Sequence, residues 1–231
     1  MNGKTVAIIG ATGLTGGYLY DLLKKDKTVD TIRLIVRRPM QKNDPKTEIK
    51  LVDFNDAESL MLAIDGCNIV YCTVGTTNKN VKGDREAYRK VDFDIPVKAA
   101  RFSKMVDCRC FVLVSALAAN SKSGNFYLRL KGETEDAITG LAMQDHATGT
   151  GLRSVHFMQP SLLLGDRKES RPGEKLGKLV MGATSFLWPA KFKPIHARDV
   201  AKAMIAAANE NKEGVFKYPN PAIKKLSSAI Q

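Results

Sequence analysis

Lys4-Thr5-Val6-Ala7-Ile8-Ile9 runs straight into Gly10-Ala11-Thr12-Gly13-Leu14-Thr15-Gly16, and an amphipathic segment follows to about Lys25. The apolar run reads as a buried parallel strand, the glycines as a turn and the amphipathic stretch as a helix. Strand, glycine turn and helix opening form a phosphate cradle. Gly10 permits the tight turn, Gly13 lets the backbone approach a pyrophosphate with no Cβ in the way, and Gly16 lets the helix pack closely on the strand. The unpaired N–H groups and positive dipole end of the helix then face the phosphates. A glycine triplet alone also fits an ordinary turn before a helix; here the strand before it and the helix after it supply the context that dinucleotide binding requires. Thr12, Leu14 and Thr15 lie in the same cradle and join Gly10, Gly13 and Gly16 as candidate cofactor contacts.

Outward from this unit the chain keeps alternating. Strands are predicted over Thr31–Val36, Glu48–Phe54, Asn68–Val74, Cys110–Ser115 and Arg153–Met158, and helices over Asp56–Ile64, Arg85–Ser103 and Tyr127–His146. Continuous apolar strands between helices imply an α/β architecture, a doubly wound parallel sheet covered on both faces. The whole chain, 1–231, reads as a single domain, with 161–194 as a small substrate-side insertion where the regularity fades. That insertion holds a charged stretch from Asp166 to Lys178 and an apolar segment around Phe186-Leu187-Trp188-Pro189, and a last helix is predicted near Asp199. Ligands of such sheets bind beyond the carboxyl ends of the strands. The segments after Val74, Ser115 and Pro160 are therefore the expected walls of a site.

Composition bounds the rest. At 231 residues, 44% of them hydrophobic, the chain can bury a substantial core, and no apolar run approaches the length of a membrane span. Cys67, Cys72, Cys108 and Cys110 fit reduced core thiols of a cytoplasmic protein; no C-x-x-C pair suggests a metal site, and none is expected. The net charge of +12 comes from 36 basic and 24 acidic residues scattered from Lys24 to Lys225 without a dense block. That distribution implies a solvated basic surface plus a basic cofactor pocket, not a specific nucleic-acid partner.

Two constellations carry chemistry. Arg37-Arg38 follows the second strand, where a dinucleotide fold presents whatever touches the adenosine ribose. A carboxylate there would serve the 2′-hydroxyl of NAD, whereas arginine matches a 2′-phosphate, so the expected cofactor is NADP(H). Asp53 and Phe54 close the third strand; Asp53 suits the adenine amino group, or simply caps a turn. Gly75 and Thr76, with Thr77, are placed to run beneath the cofactor, and Pro160 to flank it. The second constellation is Ser115 at a strand end, then Tyr127-x-x-x-Lys131, whose i,i+4 spacing puts both side chains on one helix face. An ammonium beside a phenol favours the phenolate and suits tyrosine to general acid–base work. Ser115 is placed to hydrogen-bond the same carbonyl or hydroxyl oxygen.

Gly10-Ala-Thr-Gly-Leu-Thr-Gly16, Arg37-Arg38, Ser115 and Tyr127-x-x-x-Lys131 together resemble the atypical short-chain dehydrogenase/reductase superfamily. Gly75-Thr76-Thr77 and Asp166-Arg-Lys-Glu-Ser-Arg-Pro-Gly-Glu174 narrow the resemblance to its Tat-interacting oxidoreductase branch. The resemblance implies a Rossmann fold, NADPH held by the glycine loop with Arg37 and Arg38, and a catalytic Ser115/Tyr127/Lys131 set. Members of the branch are also described as regulators of transcription and transport. Where that branch often has Arg-Pro-Gly after the sixth strand, this chain has Gln159-Pro160-Ser161, so no arginine contact carries over.

The expectation is thus an NADPH-dependent oxidoreductase reducing a carbonyl of a small-molecule substrate. Its rival is an NADP(H)-sensing regulator that signals through a protein partner without turnover. A sugar-nucleotide epimerase fits less well, because fewer than 75 residues follow Pro160 to build a substrate subdomain. His196 is expected to fix a strand-to-helix corner and Asp199 to cap the helix, while His146 and His156 show no partner in the sequence.

Overall fold

The computed structural model describes residues 3–77, 79–143, 152–165 and 189–230. The charged stretch 166–178, the segment 186–188 and His146 lie outside the described residues, as does most of 161–194. Among the described residues, seven strands form one parallel sheet: β1 (Lys4–Ile9), β2 (Val29–Val36), β3 (Thr47–Leu51), β4 (Ile69–Cys72), β5 (Cys110–Val114), β6 (Ser154–Gln159) and β9 (Gly214–Pro219). Their order is β3-β2-β1-β4-β5-β6-β9, and two short strands, β7 (Leu163–Leu164) and β8 (Ile195–His196), pair in parallel apart from it. The chain moves outward from β1 through β2 to β3 and returns to place β4 on the other side of β1. The crevice between β1 and β4 is therefore the switch point at which ligands of this architecture bind.

Alternation along the strands splits the core in two. Val6, Ile8, Ile32 and Leu34 face α1 (Leu14–Leu23) and α6 (Ala197–Asn209), which supply Leu19, Leu23, Val200 and Met204. Ala7, Ile9, Val70 and Leu113 face α2 (Ala57–Ile64), α4 (Ile95–Met105) and α5 (Phe126–Met143), with Leu60, Phe102 and Ile138. Each fully buried aliphatic or aromatic side chain of this set contributes about 1.5–3 kcal/mol relative to exposure. No helix among the described residues is long and apolar enough to cross a membrane.

Three expectations are refined. The helix predicted over Arg85–Ser103 is α3 (Arg85–Arg89), a π-turn (Lys90–Asp94) and then α4. The third strand stops at Leu51, and Asp53 begins the turn after it. His196 itself caps α6, its Nδ1 accepting from the Arg198 N–H at 3.1 Å, and Asp199 falls inside the first turn. β9 and the closing α7 (Asn220–Ser227) are additions to the predicted element list.

His156 acquires partners in this fold. Its ring stacks on Phe216 and Tyr218 of β9, with Nδ1 3.1 Å from the Tyr218 hydroxyl. Burial, helped by Lys212 and opposed by Glu210, pushes the imidazole down to about 4 from 6.5. The folded chain thus takes up this proton later than the unfolded chain, so stability is present above pH 6.5 and is lost as pH falls from 6.5 towards 4. The conversion of 1.36 kcal/mol per unit sets the loss at up to about 3 kcal/mol. Melting temperatures across that window are expected to fall less steeply in His156→Phe than in the parent; identical slopes would remove His156 from the account.

Candidate active site

The glycine loop is built by contact as much as by torsion. Gly10 has φ +94°, a conformation that disfavours a side chain, and its carbonyl accepts the Gly13 N–H at 3.0 Å to close the turn. A Cβ at Gly16 would drive into the Gly10 carbonyl, and Thr73 Oγ1, donating towards the Ile9 and Gly10 carbonyls at 3.1 Å, packs the other side. Gly13 is the N-cap of α1, with no side-chain cap and no acidic residue in the first turn. Beyond Gly13, whose own N–H closes the turn, the first amide groups of α1 have no side-chain cap and face outward for an anion. This cradle, which only glycine fits, suits a dinucleotide diphosphate. Thr15 is buried behind it, and Leu14 reaches across to Gly165, where a Cβ would lie 2.9 Å from Leu14 Cδ1.

At the end of β2, Arg37 lines a cavity of about 600 Å³ together with Asp53 and Phe54. Arg38 is exposed beside it and is not among the lining residues. The Asp53 carboxylate accepts from the Asn55 backbone and side-chain amides, both at 2.9 Å, so it shapes its own turn at this wall.

The π-turn explains the centre of the site. Pro96 has no N–H to offer the carbonyl four residues back, and the Ile95 N–H bonds the Lys90 carbonyl instead, which widens the turn. The Asp92 carbonyl, which residue 96 cannot serve with an N–H, lies 3.1 Å from the Thr134 hydroxyl of α5, shared with the Leu130 carbonyl at 2.8 Å. The Asp92 carboxylate is turned inward, 1% exposed, with Oδ2 accepting the Thr76 N–H at 2.8 Å and Oδ1 2.9 Å from Lys131 Nζ. Tyr88 donates its hydroxyl to the Thr76 carbonyl, so the Gly75-Thr76 loop is held from both sides.

Lys131 is 4% exposed. Burial opposes its charge, but Asp92 foremost, and then Tyr127, outweigh burial and hold the ammonium above the usual lysine range. Its Nζ lies 6.0 Å from the centre of the Tyr127 ring, and Tyr127 itself is 39% exposed. One turn further along α5, Glu135 is fully buried and accepts Ser115 Oγ at 2.5 Å, Gln159 Nε2 at 2.9 Å and Lys217 Nζ at 2.7 Å. The Ser115 proton is thereby directed at a carboxylate, and its lone pairs remain available to accept. Pro160, buried, accepts the Leu117 N–H through its carbonyl and fixes the loop after β5. That loop lies against α5 at Gly132, where any Cβ would collide with the backbone of Asn120 and Ser121.

The sequence motifs therefore meet at one sheet end: the glycine loop, Gly75-Thr76, and the Tyr127/Lys131 face of α5. Neither Asp92 nor Glu135 stands out in the sequence, and Gln159 does so only as a departure from the Arg-Pro-Gly pattern; the signal for Asp92 is Pro96, a proline four residues after it within the predicted helix.

Comparison with known proteins identifies the family and the fold. The profile of the family described as NAD(P)H-binding matches residues 10–211. The chain belongs to that family. It is 29% identical over 208 residues to Protein HTATIP2 of Rattus norvegicus, covering 89% of this chain and 81% of that one. It is 30% identical over 211 residues to the Debaryomyces hansenii protein named FMP52, mitochondrial, covering 88% and 87%. Among solved structures it resembles MoeE5 in complex with UDP-glucose and NAD (TM-score 0.70, 14% identity, 98% of this chain and 82% of that chain). Uronate dehydrogenase from Agrobacterium tumefaciens is similar at TM-score 0.69 and 13% identity, over 98% and 84%. These structures share the Rossmann-like fold, and the chain is an NAD(P)H-binding protein of oxidoreductase-like family.

Removing one partner of a buried ion pair typically costs about 3–5 kcal/mol, because the other charge stays buried alone. Asp92→Leu is expected to lose about that much in denaturant unfolding at neutral pH. Adding Lys131→Met should recover a large part of it. A loss below about 1 kcal/mol in the single variant would contradict the pairing.

Proposed function

We propose that the protein is an NADPH-dependent oxidoreductase that reduces a carbonyl group of a small molecule. The observation that carries this reading is the buried, charged Lys131 beneath the half-exposed Tyr127 ring, at the sheet end where the glycine cradle opens. When bound, the cofactor supplies a hydride to the carbonyl carbon. Tyr127 gives its hydroxyl proton to the carbonyl oxygen, and Lys131 stabilises the phenolate left behind. Asp92 keeps Lys131 charged and in place. Ser115, its own proton held by Glu135, meets a substrate hydroxyl or the Tyr127 hydroxyl as an acceptor. Arg37 and Arg38 favour the 2′-phosphate of NADPH over the free hydroxyl of NADH.

A second reading, an NADP(H)-responsive regulator without turnover, is favoured by one feature: the hydroxyl expected to donate to a substrate oxygen is already used by Glu135. A sensor acting through its thiols finds no support in the four cysteines. All are buried, and burial raises Cys67 and Cys110 to about 11 and Cys72 to about 12, far from a reactive thiolate. Reduced core thiols suit the cytosol, and equally the interior of mitochondria suggested by relatives named mitochondrial.

Tyr127→Phe keeps the ring and removes the acid. NADPH affinity is expected to stay within a few-fold, while carbonyl-dependent NADPH oxidation over a panel of aldehydes, ketones and quinones falls by about a hundredfold or more. Full turnover by the variant would end the assignment, and tight NADPH binding with no reduction across the panel would favour the regulator. In calorimetry the parent should bind NADPH more tightly than NADH, with Arg37→Glu costing NADPH binding about 1.5–3 kcal/mol. Equal affinity of the parent for both cofactors would refute the preference.

A further inference from the structure

The cavity at Arg37 has a second wall that neither the glycine motif nor the arginine pair accounts for. Lys90, Val91, Asp94, Ile95 and Lys98, at helical spacing along the π-turn and the start of α4, line it together with residues at the ends of β2 and β3. Asp92, between them in sequence, points the other way into the protein. Of the three cations on the cavity wall, Lys98 donates to the Phe54 carbonyl at 3.3 Å. Arg37 and Lys90 have no hydrogen-bond or ion-pair partner among the described residues; both are exposed and both line the cavity. The two carboxylates on the wall do not balance these charges: Asp53 is engaged by Asn55, and Asp94 is one anion against two uncommitted cations. Between the charges, Val52, Phe54 and Ile95 form apolar sides suited to a flat base.

Two uncommitted cations facing one cavity repel each other, and a dianion between them relieves the repulsion while gaining charge-assisted hydrogen bonds. We infer that Lys90 is a second cation for the 2′-phosphate of the cofactor's adenosine, acting from the π-turn in the cavity that Arg37 also lines. The inference rests on the NADPH reading above and adds a residue to it. Selectivity for a phosphorylated ribose then comes from two elements far apart in sequence, the end of β2 and the π-turn. The same turn that aims Asp92 at Lys131 also presents Lys90 to the cofactor's far end.

Calorimetric titration with 2′,5′-ADP and with 5′-AMP tests this without any turnover, since both fragments lack the nicotinamide. The variants are Lys90→Met and Lys90→Glu, with Lys122→Met, an exposed lysine outside the cavity, as a control for net charge. The parent is expected to prefer 2′,5′-ADP. Lys90→Met should weaken 2′,5′-ADP by about tenfold and leave 5′-AMP within twofold, Lys90→Glu should weaken 2′,5′-ADP further, and Lys122→Met should match the parent. A parent that does not distinguish the two fragments would overturn the NADPH reading and this inference together. If the parent does distinguish them, an unchanged preference in Lys90→Met, or equal weakening of both fragments, overturns the role of Lys90 alone.

Discussion

A buried carboxylate, Asp92, holds the site together. Taking Asp92 and Lys131 out of water costs several kcal/mol per ion, and the pair is tolerable only because each charge is met by the other at 2.9 Å and Asp92 gains the Thr76 N–H as well. From this one residue three segments are fixed relative to each other: α5 through Lys131 and Thr134, the loop after β4 through Thr76, and the helix carrying Asp92. The chain reaches that arrangement through a proline. Without an N–H at residue 96 the helix cannot close its regular ladder, and the Asp92 backbone carbonyl is left without that donor while its carboxylate meets Lys131 of α5 and the Thr76 N–H.

What could be read from the sequence is what repeats along it. Continuous apolar strands and the glycine triplet give the doubly wound sheet, the switch point and the phosphate cradle. These depend on local packing and on the absence of side chains, properties each residue carries with it. The stretch 85–103 shows where this stops. Helical spacing holds on either side of the single wide turn, so the stretch reads as one helix, and only Pro96 betrays the break. An aspartate in Arg-Lys-Val-Asp-Phe-Asp looks like part of a solvated face; that it is 1% exposed is decided by lysine and threonine residues about forty positions away.

The same limit applies at the other end of the sheet. Gly214–Pro219 carries a lysine and ends in proline, and as an edge strand it is only half covered, so its pattern is weaker than that of the central strands. Yet its Lys217 is needed by Glu135, whose burial would otherwise leave an unpaired charge. Cap identity was likewise hidden. Asp199 has the residue type that favours an N-cap, but the histidine before Ala197 offers a ring nitrogen in the right place, and Tyr18 packs edge-on against that ring at 5.3 Å to hold it there.

Tyr127, Lys131 and Glu135 follow one another at four-residue spacing along α5, so they form a single stripe that drifts by about 40° per step. Its outer end is 39% exposed and its inner end wholly buried. The middle residue bonds to one neighbouring helix and the last to side chains from the residue after β5, from β6 and from β9. A helix anchored by two buried charges at its inner turns has little freedom to roll or slide, since either motion would separate a pair in a low-dielectric interior. The tyrosine at the open end therefore inherits its position from carboxylates it does not touch. That division lets the residue facing a substrate stay accessible to solvent while its placement is set by chemistry that solvent cannot reach.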